Sequence, residues 1–271
     1  MNLGQIRTLA RTFLSEMTPA YWSDAELNGY INEGISDFCS ATDVLEDITT
    51  YSSIQSLGDY PLPDNYTKIK NVEFVKGNSI YLLQPRDLYE SYQGFTRQAS
   101  SPPYGYNLWE ENLRLSERPS VSAASTTLAA SMSATSKGVL LTDGSGLPRT
   151  GRILVDSEVI EFWNNNNGFL TPCTRGKEGT IAAAHSNGST VYFRDIWIYH
   201  HIVDAILVLD TDTPTLPIQF HNDMAWYAAY MGRFKSKDYD LAAQFKALYD
   251  QAVAEGLLYV KSRWKRHRTP K

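Results

Sequence analysis

Val121-Ser122-Ala123-Ala124-Ser125-Thr126-Thr127-Leu128-Ala129-Ala130-Ser131-Met132-Ser133-Ala134-Thr135-Ser136-Lys137 carries one charge in 17 residues. Charged, aromatic-rich sequence precedes it. Short strand-like runs follow it as far as Val191, and charged, aromatic-rich sequence returns from 193. The break predicts one module set inside another: a discontinuous helical core of residues 1–120 and 193–271, carrying a small antiparallel sheet, with 121–192 as an inserted all-β module. The expected fold class is α+β. Such an arrangement suits a structural protein better than an enzyme built around one cleft.

Outward from that break, local patterns supply the elements. Leu3, Ile6, Ala10, Phe13 and Leu14 recur at helical spacing and predict a helix over 2–15. Ser23-Asp24-Ala25-Glu26 reads as a capping box, followed by Leu27, Tyr30, Ile31, Ile35 and Phe38 on one face. From about 50 to 116 the period falls to two. Lys76-Gly77-Asn78 is a hairpin turn between Val72-Glu73-Phe74-Val75 and Ile80-Tyr81-Leu82, and Glu110-Glu111-Asn112 is a second, weaker one. In the middle module Ile153-Leu154-Val155 and Val159-Ile160-Glu161-Phe162 read as strands, and Asn164 to Gly168 as a hairpin tip. Ile196, Ile198 and Ile202 alternate with Trp197 and Tyr199, which predicts a strand. Leu216-Pro217 opens a helical stretch faced by Phe220, Met224, Tyr227, Ala228 and Met231. A last helix of about 24 residues begins near Asp238, with the stripe Leu241, Phe245, Leu248, Tyr249, Ala252, Leu257 and Val260.

Composition narrows the function. The chain has 271 residues, 17 tyrosines, ten phenylalanines and six tryptophans, an aromatic excess that fits extensive interfaces. The two cysteines, Cys39 and Cys173, have no metal-ligand spacing. No segment reaches the ~20 apolar residues of a membrane span, and the expectation is a soluble protein made in the cytoplasm, with no membrane contact. Residues 261–271 hold six basic side chains and no acid; removing them from the net charge of −5 leaves −11 on residues 1–260. An acidic body with a basic arm, 259–271, favours self-assembly or an acidic partner. In that arm Lys261, Arg263, Trp264, Lys265, Arg266 and Arg268 are the expected partner-binding residues: they can hold phosphates with an aromatic stacked on a base, or equally dock on an acidic protein surface with Trp264 as the anchor.

No catalytic, cofactor-binding or metal-binding residues are expected. The five histidines, His185, His200, His201, His221 and His267, lack the spacing of a zinc hydrolase, and adjacent strand residues such as His200 and His201 point to opposite faces. Gly144-Ser145-Gly146 is a turn, because no helix follows to hold an anion. Asp210 and Asp212 lack the glycine and glutamate of a calcium loop and read as turn residues.

Arg7, Leu14, Trp22 to Leu27, Tyr30 to Gly34, Tyr60 to Tyr66 with Ile69 and Val72, Pro103-Tyr104, Leu113, Pro119, Leu216-Pro217, Phe220-His221, Asp238 and Phe245 resemble the head-to-tail adaptor proteins of tailed bacteriophages. The middle module is similar to a small β module of phage tail and virion proteins. It matches at Gly151, Ile153, Asp156-Ser157-Glu158, Cys173-Thr174-Arg175-Gly176, Gly179-Thr180, Ala182 to His185, Gly188 and Val191-Tyr192.

The adaptor resemblance implies a dodecameric ring beneath the portal protein at the head-tail junction of the virion. The ring extends the channel through which genomic DNA passes during ejection, without sequence-specific binding. It joins a tail or nozzle protein, or a tail fibre. On this reading the arm docks on the portal and the protein is not an enzyme. A receptor-binding tail-fibre protein and a cell-wall hydrolase are the alternative readings.

Overall fold

A computed structural model describes residues 1–87 and 99–267, with 264–267 described by backbone alone. The fold is mixed α+β, as the sequence predicts. The chain forms two compact units, one of Met1–Asp47, Asn65–Lys68 and His201–Lys271, the other of Ile48–Asp64 and Ile69–His200. This division differs from the break in composition. Residues 48–64 and 69–120, expected with the helices, fall with 121–200. Strand pairing and buried polar bonds give the reason. The strand Ile196–Ile202, which follows the middle module, sits between Glu46–Tyr51 and Tyr66–Lys76 in one sheet. Just before it, the buried Asp195 carboxylate accepts from Ser53 N at 2.6 Å and from Ser53 Oγ.

The first unit is helical: α1 (Leu3–Leu14), α2 (Asp24–Thr42), α3 (Asp223–Lys235) and α4 (Tyr239–His267). Leu3, Ile6, Ala10 and Leu14 of α1 are buried at the helical spacing read from the sequence. The helix opens with a capping box of Asn2 and Gln5, each bonding the other's backbone N–H. At α2 the Ser23 hydroxyl accepts from Glu26 N at 3.2 Å, but Glu26 does not complete a box. Its carboxylate instead receives Tyr30 OH and Lys235 Nζ, both at 2.8 Å, because a cation from α3 outcompetes an exposed amide. Buried Arg11 organises the link between α1 and α2, bonding Trp22 O at 2.8 Å and Asp24 Oδ1 at 2.7 Å.

Pro217 precedes a short 3-10 turn, Ile218–Phe220, and α3 starts only after it. The buried positions of α4 are Ala242, Tyr249, Ala252 and Gly256, while Leu248 and Leu257 of the expected stripe are exposed. Small residues face inward here because the neighbours come close. A Cβ on Gly256 would lie 2.8 Å from Phe38 Cζ and Thr42 Cγ2. The same tight approach occurs at Gly34 against Tyr227 and at Gly232 against Leu14. Phe38, Met224, Ala228 and Tyr249 fill the core between these helices, and each large apolar side chain so buried contributes about 1.5–3 kcal/mol.

The second unit is β. A seven-stranded sheet runs in the order Glu46–Tyr51, Ile196–Ile202, Tyr66–Lys76, Ser79–Pro85, Gly105–Trp109, Asn112–Leu115, Asp59–Pro61. Both expected hairpins are present: Lys76 pairs with Ser79 and Trp109 with Asn112. A five-stranded sheet follows as Cys173–Lys177, Glu158–Phe162, Gly151–Val155, Thr190–Phe193, Ser125–Thr127. The Asn run forms a hairpin tip in which Asn166 pairs with Phe169, and Asn167 and Gly168 take positive φ. One core cluster joins Leu128, Ile153, Val155, Ile160, Phe162, Leu170 and Val191, all fully or nearly fully buried, to Val75 and Phe193 on either side of the middle stretch.

Candidate functional site

Three features outside the packed cores carry chemistry. The first is the basic arm. α4 continues as helix through 259–267, so the arm begins as an extension of a packed helix. Lys261 and Arg263 are exposed, and the Arg263 guanidinium lies 5.7 Å from the Tyr259 ring centroid. Tyr259 in turn packs edge-on against Phe220 at 5.7 Å. The structure therefore brings Lys261 and Arg263 to the exposed end of a supported helix. The side chains of Trp264, Lys265 and Arg266, and all of Arg268, lie outside the described residues.

The second feature is a buried polar knot built from the residues that carry the β-module resemblance. Glu158 is fully buried at the start of its strand. Arg175 meets it side-on, Nε to Oε1 and Nη2 to Oε2, both at 2.7 Å. Gly176 N and Ala183 N donate to the same carboxylate at 3.0 Å each. His185 sits between two acids, Nε2 at 2.8 Å from Glu158 Oε2 and Nδ1 at 2.7 Å from Asp156 Oδ2. Arg175 directs its remaining donors to the Ser133 and Ala183 carbonyls. Burial opposes ionisation of Glu158, yet Arg175, the two amides and His185 outweigh it and hold the carboxyl down at about 2. Every strong donor in the knot is engaged, so it fixes the loops 133–136 and 176–185 rather than awaiting a substrate. His185 thereby serves the fold, tying Asp156 to Glu158.

The third feature has almost no signature in the sequence. Residues 204–215 form a loop held at many points. Asp204 accepts from Ala205 N and Thr215 N, and Asp212 from Val208 N and Leu209 N at 2.8 Å each. Arg7 grips Asp210 with two bonds of 2.8 Å, and Asn32 exchanges two bonds with the Leu207 backbone. Leu207 turns into the core while Ile206, Val208 and Leu209 stay 77%, 71% and 63% exposed. A fixed loop that shows aliphatic side chains loses little entropy on meeting a partner. The sequence signal is an apolar run, 205–209, between two aspartates, too short to have a period.

Asp210 and Asp212 are turn residues, as expected. Both cysteines are buried, and burial pushes each thiol up to about 11, which removes their nucleophilic character near neutrality. Among the described residues no group of three or more His, Cys, Asp or Glu can hold a metal, and no helix is long and apolar enough to cross a membrane.

A helical unit with a basic helix tip and a loop of exposed aliphatic side chains, joined to a β unit that pairs Arg152, Arg175 and Lys177 with its own carboxylates, has the features of a protein that presents surfaces to partners. Residues 1–155 match the family model of the SU10 adaptor protein, and the chain belongs to that family, a phage adaptor family. It is thus a structural phage adaptor and a virion component, and family membership implies interaction with portal and tail components. The match runs past 121 to Val155, so it does not set 121–192 apart as an insertion. No curated protein matches the chain.

Proposed function

We propose that the protein forms a twelve-fold ring beneath the portal, extends the DNA channel and connects it to the tail. The observation that carries this reading is α4: a helix packed at its base, continuous to His267, and exposed and basic where it leaves the body. Such an arm can reach an acidic portal surface while the helical unit stays outside. The rest of the chain, with its net negative charge, repels phosphate and lets DNA slide. The aliphatic loop at 206–209 offers an apolar contact for a neighbouring subunit, as a head-to-tail ring requires two complementary faces.

The middle module faces outward on this reading, towards a neighbouring subunit or tail protein. Its five basic and five acidic side chains balance. Arg152 pairs with Glu161 and Glu178, Arg175 with Glu158 and Lys177 with Glu161, so only Lys137 and Arg149 of the five are outside these pairs, too few for a phosphate-binding footprint. Cryo-electron microscopy of the virion tests the proposal directly. Density for this chain as a closed ring between portal and tail supports it. Density at the fibre tips, or no ring at the junction, sinks it.

A further inference from the structure

A cleft of about 540 Å³ lies within the β unit, between the 77–80 hairpin tip, the loop at 148–150 and the strand Ile196–Ile202. Its size falls in the ~300–1,000 Å³ range of small-molecule sites. Four aromatic residues line it: the buried Phe162, Trp163 just past the end of the strand Glu158–Phe162, and Trp197 and Tyr199. Trp197 and Tyr199 are two residues apart on one strand and so share a face. Their ring centroids are 6.4 Å apart and their planes differ by 32°, which makes one broad, nearly continuous surface. Trp163 is 56% exposed, and its indole has no hydrogen-bond partner among the described residues.

The polar groups around these rings narrow the ligand. The Trp197 Nε1–H donates to Arg194 O at 2.8 Å, and Arg152 covers its ring at 5.1 Å, so Trp197 brings ring surface rather than a donor to the cleft. Two carboxylates, Glu73 and Glu161, stand in the wall. Glu73 accepts from Tyr199 OH at 3.1 Å and Asn71 Nδ2 at 3.0 Å; Glu161 pairs with Arg152 at 3.2 Å and Lys177 at 3.1 Å. Glu161 is balanced by its two cations, Glu73 is held by two neutral donors, and Arg149 is the one cation among the lining residues, so the wall has no cluster of positive charge to hold a phosphate. Each carboxylate still has acceptor capacity for hydroxyl donors. The wall is preformed, since Asn78 Oδ1 accepts from Arg149 N at 2.9 Å and ties the hairpin tip to the opposing loop.

Ring faces carry negative potential and attract polarised C–H groups, while the flanking acceptors want hydroxyls. A sugar ring offers both on one molecule. We propose that this cleft is a saccharide-binding site, taking a neutral sugar or short neutral oligosaccharide that lays its C–H face on the aromatic surface and donates hydroxyls to Glu73 and Glu161. The site is independent of the junction role, and the two readings fail separately.

The test is a glycan array probed with the labelled full-length protein, followed by calorimetric titration of the best neutral oligosaccharide. The array carries neutral envelope polysaccharide fragments in one arm and N-acetylated cell-wall oligosaccharides in the other, which identifies the source. Trp163→Ala, at an exposed position, should weaken binding by about tenfold or more, as loss of an aromatic anchor does, with an unchanged circular dichroism spectrum. Tyr104→Ala, exposed and outside the cleft, should leave affinity as it was. No neutral glycan bound in either arm, equal affinity of Trp163→Ala, or stronger binding of an anionic glycan or a lysine-rich peptide would each overturn the proposal.

Discussion

Arg175 and Glu158 meet through two parallel hydrogen bonds of 2.7 Å, with the carboxylate fully buried and two backbone amides completing its shell. A buried ion pair of this kind is tolerated only because every lone pair is satisfied. Removing one member strands the other. Glu158→Ala should therefore cost about 3–5 kcal/mol in urea unfolding of the β unit.

The pH dependence of the same group has a defined sign. The folded carboxyl lies at about 2, below its ordinary 4.5. Its contribution is complete above 4.5 and is lost as pH falls towards 2. Glu158→Gln should flatten that acid limb while lowering stability at pH 7, measured by thermal melts across the range.

Asp223 has the opposite sign. Burial, with Glu255 adding repulsion, pushes its carboxyl up to about 6 from 3.8. The neutral form is favoured by the fold, so stability from this group is full below 3.8 and declines as pH rises through 6. Asp223→Asn should be neutral at pH 3.5 and stabilising at pH 7 by on the order of 2 kcal/mol. A pH-independent effect would refute the assignment.

Two glycines on α2 should respond in opposite directions. Gly29 has nothing within 4 Å of an added Cβ, so Gly29→Ala should stabilise by about 0.5–1 kcal/mol through helix propensity. At Gly34 the added carbon would sit 2.8 Å from Tyr227 Cγ. Gly34→Ala should lose about 1–3 kcal/mol to overpacking, more than propensity returns. Chemical denaturation of both variants checks the contrast.

Truncation after Val260 should spare the helical core, whose last packed residue is Val260, and abolish attachment to purified portals. Raised salt should weaken docking of the intact chain. Unchanged portal affinity after truncation would reduce the arm to a solvated tail.

Deleting 121–192 and bridging with Gly/Ser should preserve the helical circular dichroism signal. All the residues of the helical core lie in 1–45 and 203–260. Strands of the seven-stranded sheet should melt at lower temperature, because Val75 packs in the core of the deleted module and would lose that cover. Collapse of the helical signal would show that the helices depend on it.

Much of this fold is legible in the sequence because its signals are local. Helical spacing in 3–14, the Gly77-Asn78 turn and the Asn run to Gly168 each specify their element within a few residues. What is not legible is set at long range. The α4 stripe is shifted because small residues, not large ones, meet α2 at close distance, and only the packed helices reveal that. The composition break does not coincide with a unit boundary, because the core at 128–191 also takes in Val75 and Phe193, and Ile196–Ile202 pairs within the seven-stranded sheet. The basic arm can be read as charge, whereas the loop at 204–215 depends on Arg7 and Asn32 from distant positions. Trp197 and Tyr199 read only as alternate strand residues until the fold sets Trp163 beside them in the same cleft.

The glycine contacts have a mechanical consequence. Gly232 seats α3 on α1, Gly34 seats α2 on α3, and Gly256 seats α4 on α2, each with a facing side chain pressed against backbone. Helices locked at that distance cannot slide by a fraction of a turn without collision, and close-packed interiors compress little. A pull on the tip of α4 is therefore delivered to all four helices without slip, so the helical unit responds to load as a single stiff block.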